Sequence, residues 1–241
     1  MRRTADCDPP IEIAHYSGLA GERYYAYQSR DADVMTRLVA RKFSGNVCAS
    51  DSVIDFGCGG GYLLKALSCG QRFGVEVNPA ARRVAEANGL TCFESLDQVN
   101  DYTMDIAIAH HSLEHVASPL YILRTLRSKL RPGGALLIVL PIDDWRTQRG
   151  YDPNDPNHHL YAWTPLILGN LLAEAGFDVS TLVMTIGVNG WFRVFPRFYP
   201  RLPEPVCDLV LRLWASVRRT REIRAVIRNR RFDPGHQGDR E

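Results

Sequence analysis

The chain has 241 residues, 45% of them hydrophobic and 23% charged, an ordinary globular balance with enough length for one large core. Disordered, collagen-like and disulfide-scaffold chains are excluded. Lys and Arg number 29 against 27 Asp and Glu, a formal charge of +2, so nothing in the overall balance favours a nucleic-acid partner and any charge argument is local. The six cysteines, Cys7, Cys48, Cys58, Cys69, Cys92 and Cys207, form no CxxC pair, and Met1 to Asp6 lead into polar sequence, so a reduced, cytoplasmic setting is expected. No apolar run reaches the roughly 18 to 20 residues that cross a bilayer.

Residues 1–50 read as a helical segment, with Val34, Leu38 and Phe43 near helical spacing and a cluster of Tyr16, Tyr24, Tyr25 and Tyr27. They form either a helix packed on a sheet or a lid whose tyrosines close over a ligand. From residue 52 short apolar runs alternate with helix-period segments, the pattern of a parallel sheet with crossover helices. Strands are expected over 52–56, 72–77, 90–93, 104–109 and 135–140. Helices are expected over 62–68, 79–88 and 119–130, with Pro79 and Pro119 at first turns and Asn88-Gly89 and Pro132-Gly133-Gly134 as stops. Residues 142–159, rich in Asp, Asn and Pro, read as a long loop. Thr164-Pro165 opens a helix that Gly176 closes, 177–186 is strand-like, 206–217 has helical apolar spacing and 222–228 reads as a closing strand.

The first strand ends in Asp55-Phe56-Gly57-Cys58-Gly59-Gly60-Gly61. Gly57 and Gly59 let a ligand approach the backbone, but a dinucleotide turn wants its third glycine where Tyr62 stands, and Asp55 would repel a pyrophosphate. A ligand with ammonium and sulfonium charges, such as S-adenosylmethionine, suits this turn better than NAD. Glu76, at the end of the second strand, is placed to accept hydrogen bonds from ribose hydroxyls.

The run 53–61, then Gly74-Val75-Glu76-Val77-Asn78-Pro79, Met104-Asp105 to Leu113-Glu114-His115-Val116, and Leu130 to Gly134 resemble in order the motifs of class I S-adenosylmethionine-dependent methyltransferases. The likeness covers roughly residues 50–185. It implies an α/β, Rossmann-like doubly wound sheet of seven strands, mostly parallel with the last strand antiparallel. It also implies a single methyltransferase domain over 1–241, with 1–50 as a helical lid segment and 187–220 as an aromatic and basic helical insertion. Asp55, Gly57 and Gly59 become the floor under the methionine part, Glu76 the ribose acceptor, and Val77 and Asn78 the flanks of the adenine. Ser95 and Leu96 meet the adenine edge, where the family often has an acid, and His110 and His111 stand near the methyl donor.

Methyl transfer to a hydroxyl needs alignment and a base. Among the histidines, His115 and His159 are the candidate bases, with Glu114 and His115 alternatively bracing the next helix, and Asp143 and Asp144 orienting a base or standing solvated. No spacing here resembles a metal motif, so no metal is expected. Nine arginines (201, 212, 218, 219, 221, 224, 228, 230 and 231) with Trp191, Phe192, Phe195, Phe198, Tyr199 and Trp214 read as solvated arginines on a packed helix and edge strand, or as peripheral membrane contact through 191–231. The His159 to Pro165 run is similar to methyltransferases acting on sugars or polysaccharide precursors. The acceptor is therefore expected to be a small molecule or a glycan; an NAD-dependent oxidoreductase and a non-catalytic S-adenosylmethionine-binding module are the alternatives.

Overall fold

Strands hidden on both faces need apolar side chains in both alternating directions, and the Val53-Ile54 pair shows how the chain meets that demand. In the computed structural model, which describes residues 14–16, 18–30, 32–144, 146, 150–189 and 201–229, Ile54 faces one core with Ala107, Leu123, Leu136 and Leu168. Val53 faces a second core with Phe43, Leu64, Ile108 and Leu137.

The strands are β1 (Ser52–Phe56), β2 (Gln71–Val75), β3 (Thr91–Phe93), β4 (Met104–His110), β5 (Leu130–Ile142), β6 (Asp178–Val188) and β7 (Arg221–Arg228). They form one sheet in the order β3-β2-β1-β4-β5-β7-β6. β7 runs antiparallel to both neighbours, while β1 to β5 are parallel along the sheet. The doubly wound sheet with an antiparallel last strand is as expected. However, β7 lies inside the sheet between β5 and β6, and β6 is the edge.

The helices are α1 (Gly18–Ser29), α2 (Ala32–Ala40), α3 (Tyr62–Ala66), α4 (Pro79–Ala87), α5 (Pro119–Lys129), α6 (Pro165–Glu174) and α7 (Glu204–Arg218). Their ends follow local chemistry. The Asn78 Oδ1 accepts from Ala80 N at 2.9 Å, Thr164 Oγ1 accepts from Ile167 N at 3.2 Å, and Gly89 and Gly176 stop α4 and α6 at φ of 89° and 86°.

The Leu130 to Gly134 run departs from the expected helix end and turn: it starts β5, and Leu130 pairs with Met104. Asn229 is the cause. Its Nδ2 donates to the Leu130 carbonyl at 3.0 Å and its backbone N–H to the Gly134 carbonyl at 2.8 Å. β2 also ends two residues early, leaving Glu76 and Val77 beyond it. Trp191, Phe192, Phe195, Phe198, Tyr199, Arg230, Arg231 and Cys7 lie outside the described residues, so only part of the expected insertion and membrane segment is seen. On α7, Val206, Leu209, Leu213 and Val217 are exposed. No helix among the described residues is long and apolar enough to cross a membrane.

β7 also brings a buried charge into the sheet. Glu222 is fully buried; Lys42 Nζ donates to its Oε2 at 2.7 Å, Arg224 Nε donates to its Oε1 at 2.7 Å, and the His111 ring lies 3.7 Å away. Burial pushes this carboxyl up, but His111, Lys42 and their charges hold it down at about 2. A carboxylate held below its unfolded value of about 4.3 adds stability above that pH and loses it as pH falls toward the folded value. Glu222→Gln is therefore expected to cost about 3 kcal/mol at pH 7 in urea denaturation. The gap to wild type should narrow between about pH 5 and pH 2; equal stability at pH 7 would contradict this role.

Candidate active site

The strand order turns back on itself between β1 and β4, where a doubly wound sheet leaves a crevice beyond the carboxyl ends of its strands. A cleft of about 1800 Å³ opens there, lined by Asp55, Gly57, Gly59, Glu76, His110 and His115 among others.

Its floor is the glycine turn. Gly57 and Gly59 have φ of 74° and 52°, a region costly to residues with a Cβ. A Cβ on Gly57 would come 2.8 Å from Ser112 Cβ, whereas one on Gly59 would project into open space. Below lies Asp55, 3% exposed, whose Oδ1 has no hydrogen-bond partner among the described residues. Burial, then the charge of Glu76, pushes its carboxyl up to about 8. Glu76 is gripped by the backbone: Gly59 N–H donates to its Oε2 at 2.9 Å and Asn78 N–H to its Oε1 at 2.9 Å. Burial raises its carboxyl and those two bonds lower it.

The other expected cofactor residues gather around the same cleft. Val77, Asn78, Ser95, Leu96, His110 and His111 all line it. Val77 is exposed at the rim. Asn78 has its side-chain oxygen committed to the start of α4, and Ser95 Oγ accepts from Asp97 N at 3.2 Å. Leu96 is buried in the core beneath. The His110 ring stands edge-on to Phe43 and is lowered by burial, then by His111 and Lys42. Asp97, which the sequence reading passed over, also lines the cleft, two residues after the Ser95 that stands where an acid was sought.

The two candidate bases meet. The rings of His115 and His159 lie 5.0 Å apart, edge to face. Asp143 Oδ2 is 2.9 Å from His159 Nδ1, and a carboxylate only accepts, so His159 Nδ1 carries the proton and Nε2 a lone pair. Asp143 therefore orients a ring and is not a solvated loop acid; Asp144 instead pairs with Arg146. Tyr16 does for His115 what Asp143 does for His159. The Tyr16 hydroxyl donates toward the Asn157 and His158 carbonyls at 3.0 and 2.9 Å and lies 2.6 Å from His115 Nδ1. Carbonyls only accept, so that hydroxyl accepts from His115 Nδ1–H, again leaving the lone pair on Nε2. Burial, then the charges of His159 and His111, lowers His115 to about 3. Burial opposes protonation of His159 too, but the Asp143 hydrogen bond and charge raise it.

Two further features complete the site, the burial of Glu114, which the sequence did not announce, and the tyrosine cluster, which it did. Glu114 is fully buried, raised by its burial, and both its carboxylate oxygens lack a hydrogen-bond partner among the described residues. It does not brace α5, whose first turn is held by Ser118 Oγ and Pro119. Second, the α1 tyrosines reach the site from above: Tyr24 Oη is 3.5 Å from His115 Nε2, and a Cβ on Gly60 would strike the Tyr25 hydroxyl at 2.6 Å.

Residues 23–182 match the model of a family described as a methyltransferase domain. The chain belongs to the S-adenosylmethionine-dependent class I methyltransferases. Among relatives of this methyltransferase, the ubiquinone biosynthesis O-methyltransferase of Ruegeria pomeroyi is 30% identical over 52% of this chain and 60% of its own length. The ribosomal protein L11 methyltransferase of Cupriavidus metallidurans is 28% identical over 48% of this chain and 45% of its own. The chain thus spans about half the length of the relatives it matches. A S-adenosylmethionine-dependent methyltransferase of Thermotoga maritima shares the fold, with a TM-score of 0.61 and 14% identity over 87% of this chain and 98% of that one.

The floor fits the family's cofactor on two observations: a buried carboxylate oxygen without a partner at Asp55 and open space above Gly59. The two glycines separate fold from binding. Gly57→Ala is expected to lower Tm, its new Cβ meeting Ser112 in a backbone that already costs about 1 to 2 kcal/mol. Gly59→Ala, with the backbone cost alone, should fold and yet bind S-adenosylhomocysteine more weakly by calorimetry; unchanged binding would remove the turn from the cofactor site.

Proposed function

We propose that this methyltransferase moves the methyl group of S-adenosylmethionine to a hydroxyl oxygen of a small molecule. The observation that carries this reading is the His115–His159 pair, each ring with its Nδ1 proton fixed by a neighbour, so that neutral His159 offers an Nε2 lone pair to an acceptor while His115 Nε2 stands beside the Tyr24 hydroxyl. The name of the Ruegeria relative supports oxygen as the acceptor atom.

The cofactor brings a methyl group on a positively charged sulfur, so the chain's own task is to hold, align and move one proton. On this reading Asp55 sets negative charge beneath the methionine ammonium. Glu76 uses the oxygen lone pairs not spent on Gly59 and Asn78 for the ribose hydroxyls. Val77, Ser95 and Leu96 shape the adenine side, with Asp97 as the acid for its amino group. His110 and His111 close the cleft toward the methyl. His159 takes the acceptor's proton, because Asp143 favours its protonated form; His115, held near 3, stays neutral and accepts a hydrogen bond. Tyr16, Tyr24 and Tyr25 cover the cleft and exclude water, the lid role for the N-terminal segment.

Three arginines of the basic C-terminal segment have partners within the chain. Arg224 pairs with Glu222, Arg228 donates to the Gly133 carbonyl at 3.3 Å, and Arg218 lies over Trp214. A hydroxylated aromatic acceptor suits the tyrosine-covered cleft better.

The test is mass spectrometry after incubation with S-adenosylmethionine and a panel of phenols and ortho-diphenols. A methyl ether should form, and Asp143→Asn should cut kcat and shift its pH profile. Methylation confined to nitrogen acceptors would overturn the reading. Asp55 gives a second expectation: its raised carboxyl must ionise to meet the cofactor's ammonium, so binding releases a proton. Affinity for S-adenosylmethionine should rise from pH 6 to about pH 8, and Asp55→Asn should flatten that slope in calorimetric titrations. A slope that survives the substitution would assign the proton elsewhere.

A further inference from the structure

Glu114, His115 and His159 come from two separate stretches of chain, yet each places a ligand-type atom within 4.8 Å of the others. We propose that these three side chains bind a divalent first-row transition cation at the acceptor end of the cleft.

Four features carry this. Glu114 is fully buried with no hydrogen bond to either carboxylate oxygen among the described residues and only the His111 ring, 3.9 Å from Oε1, as a nearby counter-group; a buried carboxylate needs a counter-charge or donors. A cation between it and the imidazoles supplies that charge. With Tyr16 and Asp143 occupying the Nδ1 positions, Nε2 is the ligand atom each neutral ring has left, and at His115 a cation would displace the 3.5 Å contact from the Tyr24 hydroxyl. The carboxylate–imidazole contact of Asp143 is the arrangement that usually orients a metal-binding histidine. Finally, Leu160 N–H donates to the Glu114 carbonyl at 2.8 Å, so the loop carrying His159 is pinned beside the turn carrying Glu114 and His115.

Two imidazoles and one carboxylate suit zinc-class or non-haem-iron-class cations and poorly suit magnesium, which prefers an all-oxygen shell. Three protein ligands leave positions toward the cleft, where His115 and His159 are exposed to it.

This deepens the proposed function and rests on it for where the acceptor sits. Close to the cation, an acceptor hydroxyl loses its proton at lower pH. That proton leaves to solvent, the oxygen pair forms the bond to the methyl carbon, and the carbon–sulfur pair stays on sulfur as S-adenosylhomocysteine. His159 is then a ligand, and the metal-free protein is the form in which it acts as base.

The experiment uses untagged, chelator-stripped full chain titrated with Co²⁺. A visible d–d band saturating at one equivalent is expected, displaced by Zn²⁺ and not by equal Mg²⁺. Glu114→Gln and His159→Ala should weaken binding at least about tenfold, and Asp143→Asn about ten- to hundredfold. His158→Ala, a neighbouring histidine outside the cluster, should leave it unchanged. Melting curves and S-adenosylhomocysteine binding confirm that each variant is folded; for one that is not, the band's position in the Asp143→Asn protein serves as the readout. No saturable band, equal affinity in Glu114→Gln and His159→Ala, or competition by Mg²⁺ overturns the proposal. Co²⁺ binding without ether formation from any hydroxyl acceptor leaves the site standing and removes the acceptor reading. Ether formation unaffected by stripping, with no Co²⁺ band, does the reverse.

Discussion

The grip of two backbone N–H groups on the Glu76 carboxylate joins three pieces of local structure that would otherwise be independent. Gly59 donates from the turn after β1 and Asn78 from the start of α4, so one side chain fixes how the glycine turn faces the second strand and where the fourth helix begins. Asn78 also caps α4 with its side-chain oxygen, so the residue that holds Glu76 is the one that starts the helix. The floor of the cleft is therefore pre-organised, with Asp55 buried beside it and its carboxyl pushed up by that burial.

At the other end of the cleft the organising principle is hydrogen-bond exclusion. Carbonyls and carboxylates that only accept decide the tautomers of both histidines, and with them where the lone pairs point. The long loop after β5 contributes Asp143 at its beginning and His159 at its end, so its closure assembles half the site. Tyr24 and Tyr25 of α1, with Tyr16 just before it, line the same cleft. β7, lying between β5 and β6, brings Glu222 beneath His111 and connects the site to the interior of the sheet.

What could be read beforehand was local. The alternation of apolar runs with helical periods marks all seven strands, and the glycine turn with Asp55 and Glu76 lies within one βαβ unit, where spacing alone fixes proximity. Thr164 and Gly176 announced the ends of α6 by their own backbone chemistry. What escaped depends on distant partners. Leu130 to Gly134 has the composition of a turn and becomes strand because Asn229 bonds to it. β7 looks like an edge strand because nothing in its own residues says that β6 pairs outside it. Lys42 and Glu222 meet across most of the chain, and the Asp143–His159 pair and the burial of Glu114 need the loop closed first. Spacing along the chain likewise carries no information about Glu114, His115 and His159, which the fold brings together from two stretches.

If the gripped carboxylate of Glu76 makes this cleft a cofactor site, removing its charge must cost cofactor affinity. The most direct measurement is the dissociation constant of S-adenosylhomocysteine for wild type and Glu76→Gln by calorimetry, with Tm recorded for both. An amide can accept from only one of the two N–H groups, and its other end would meet the ribose as a donor. A folded variant whose affinity falls by about ten- to hundredfold is expected. A folded variant with unchanged affinity would contradict it.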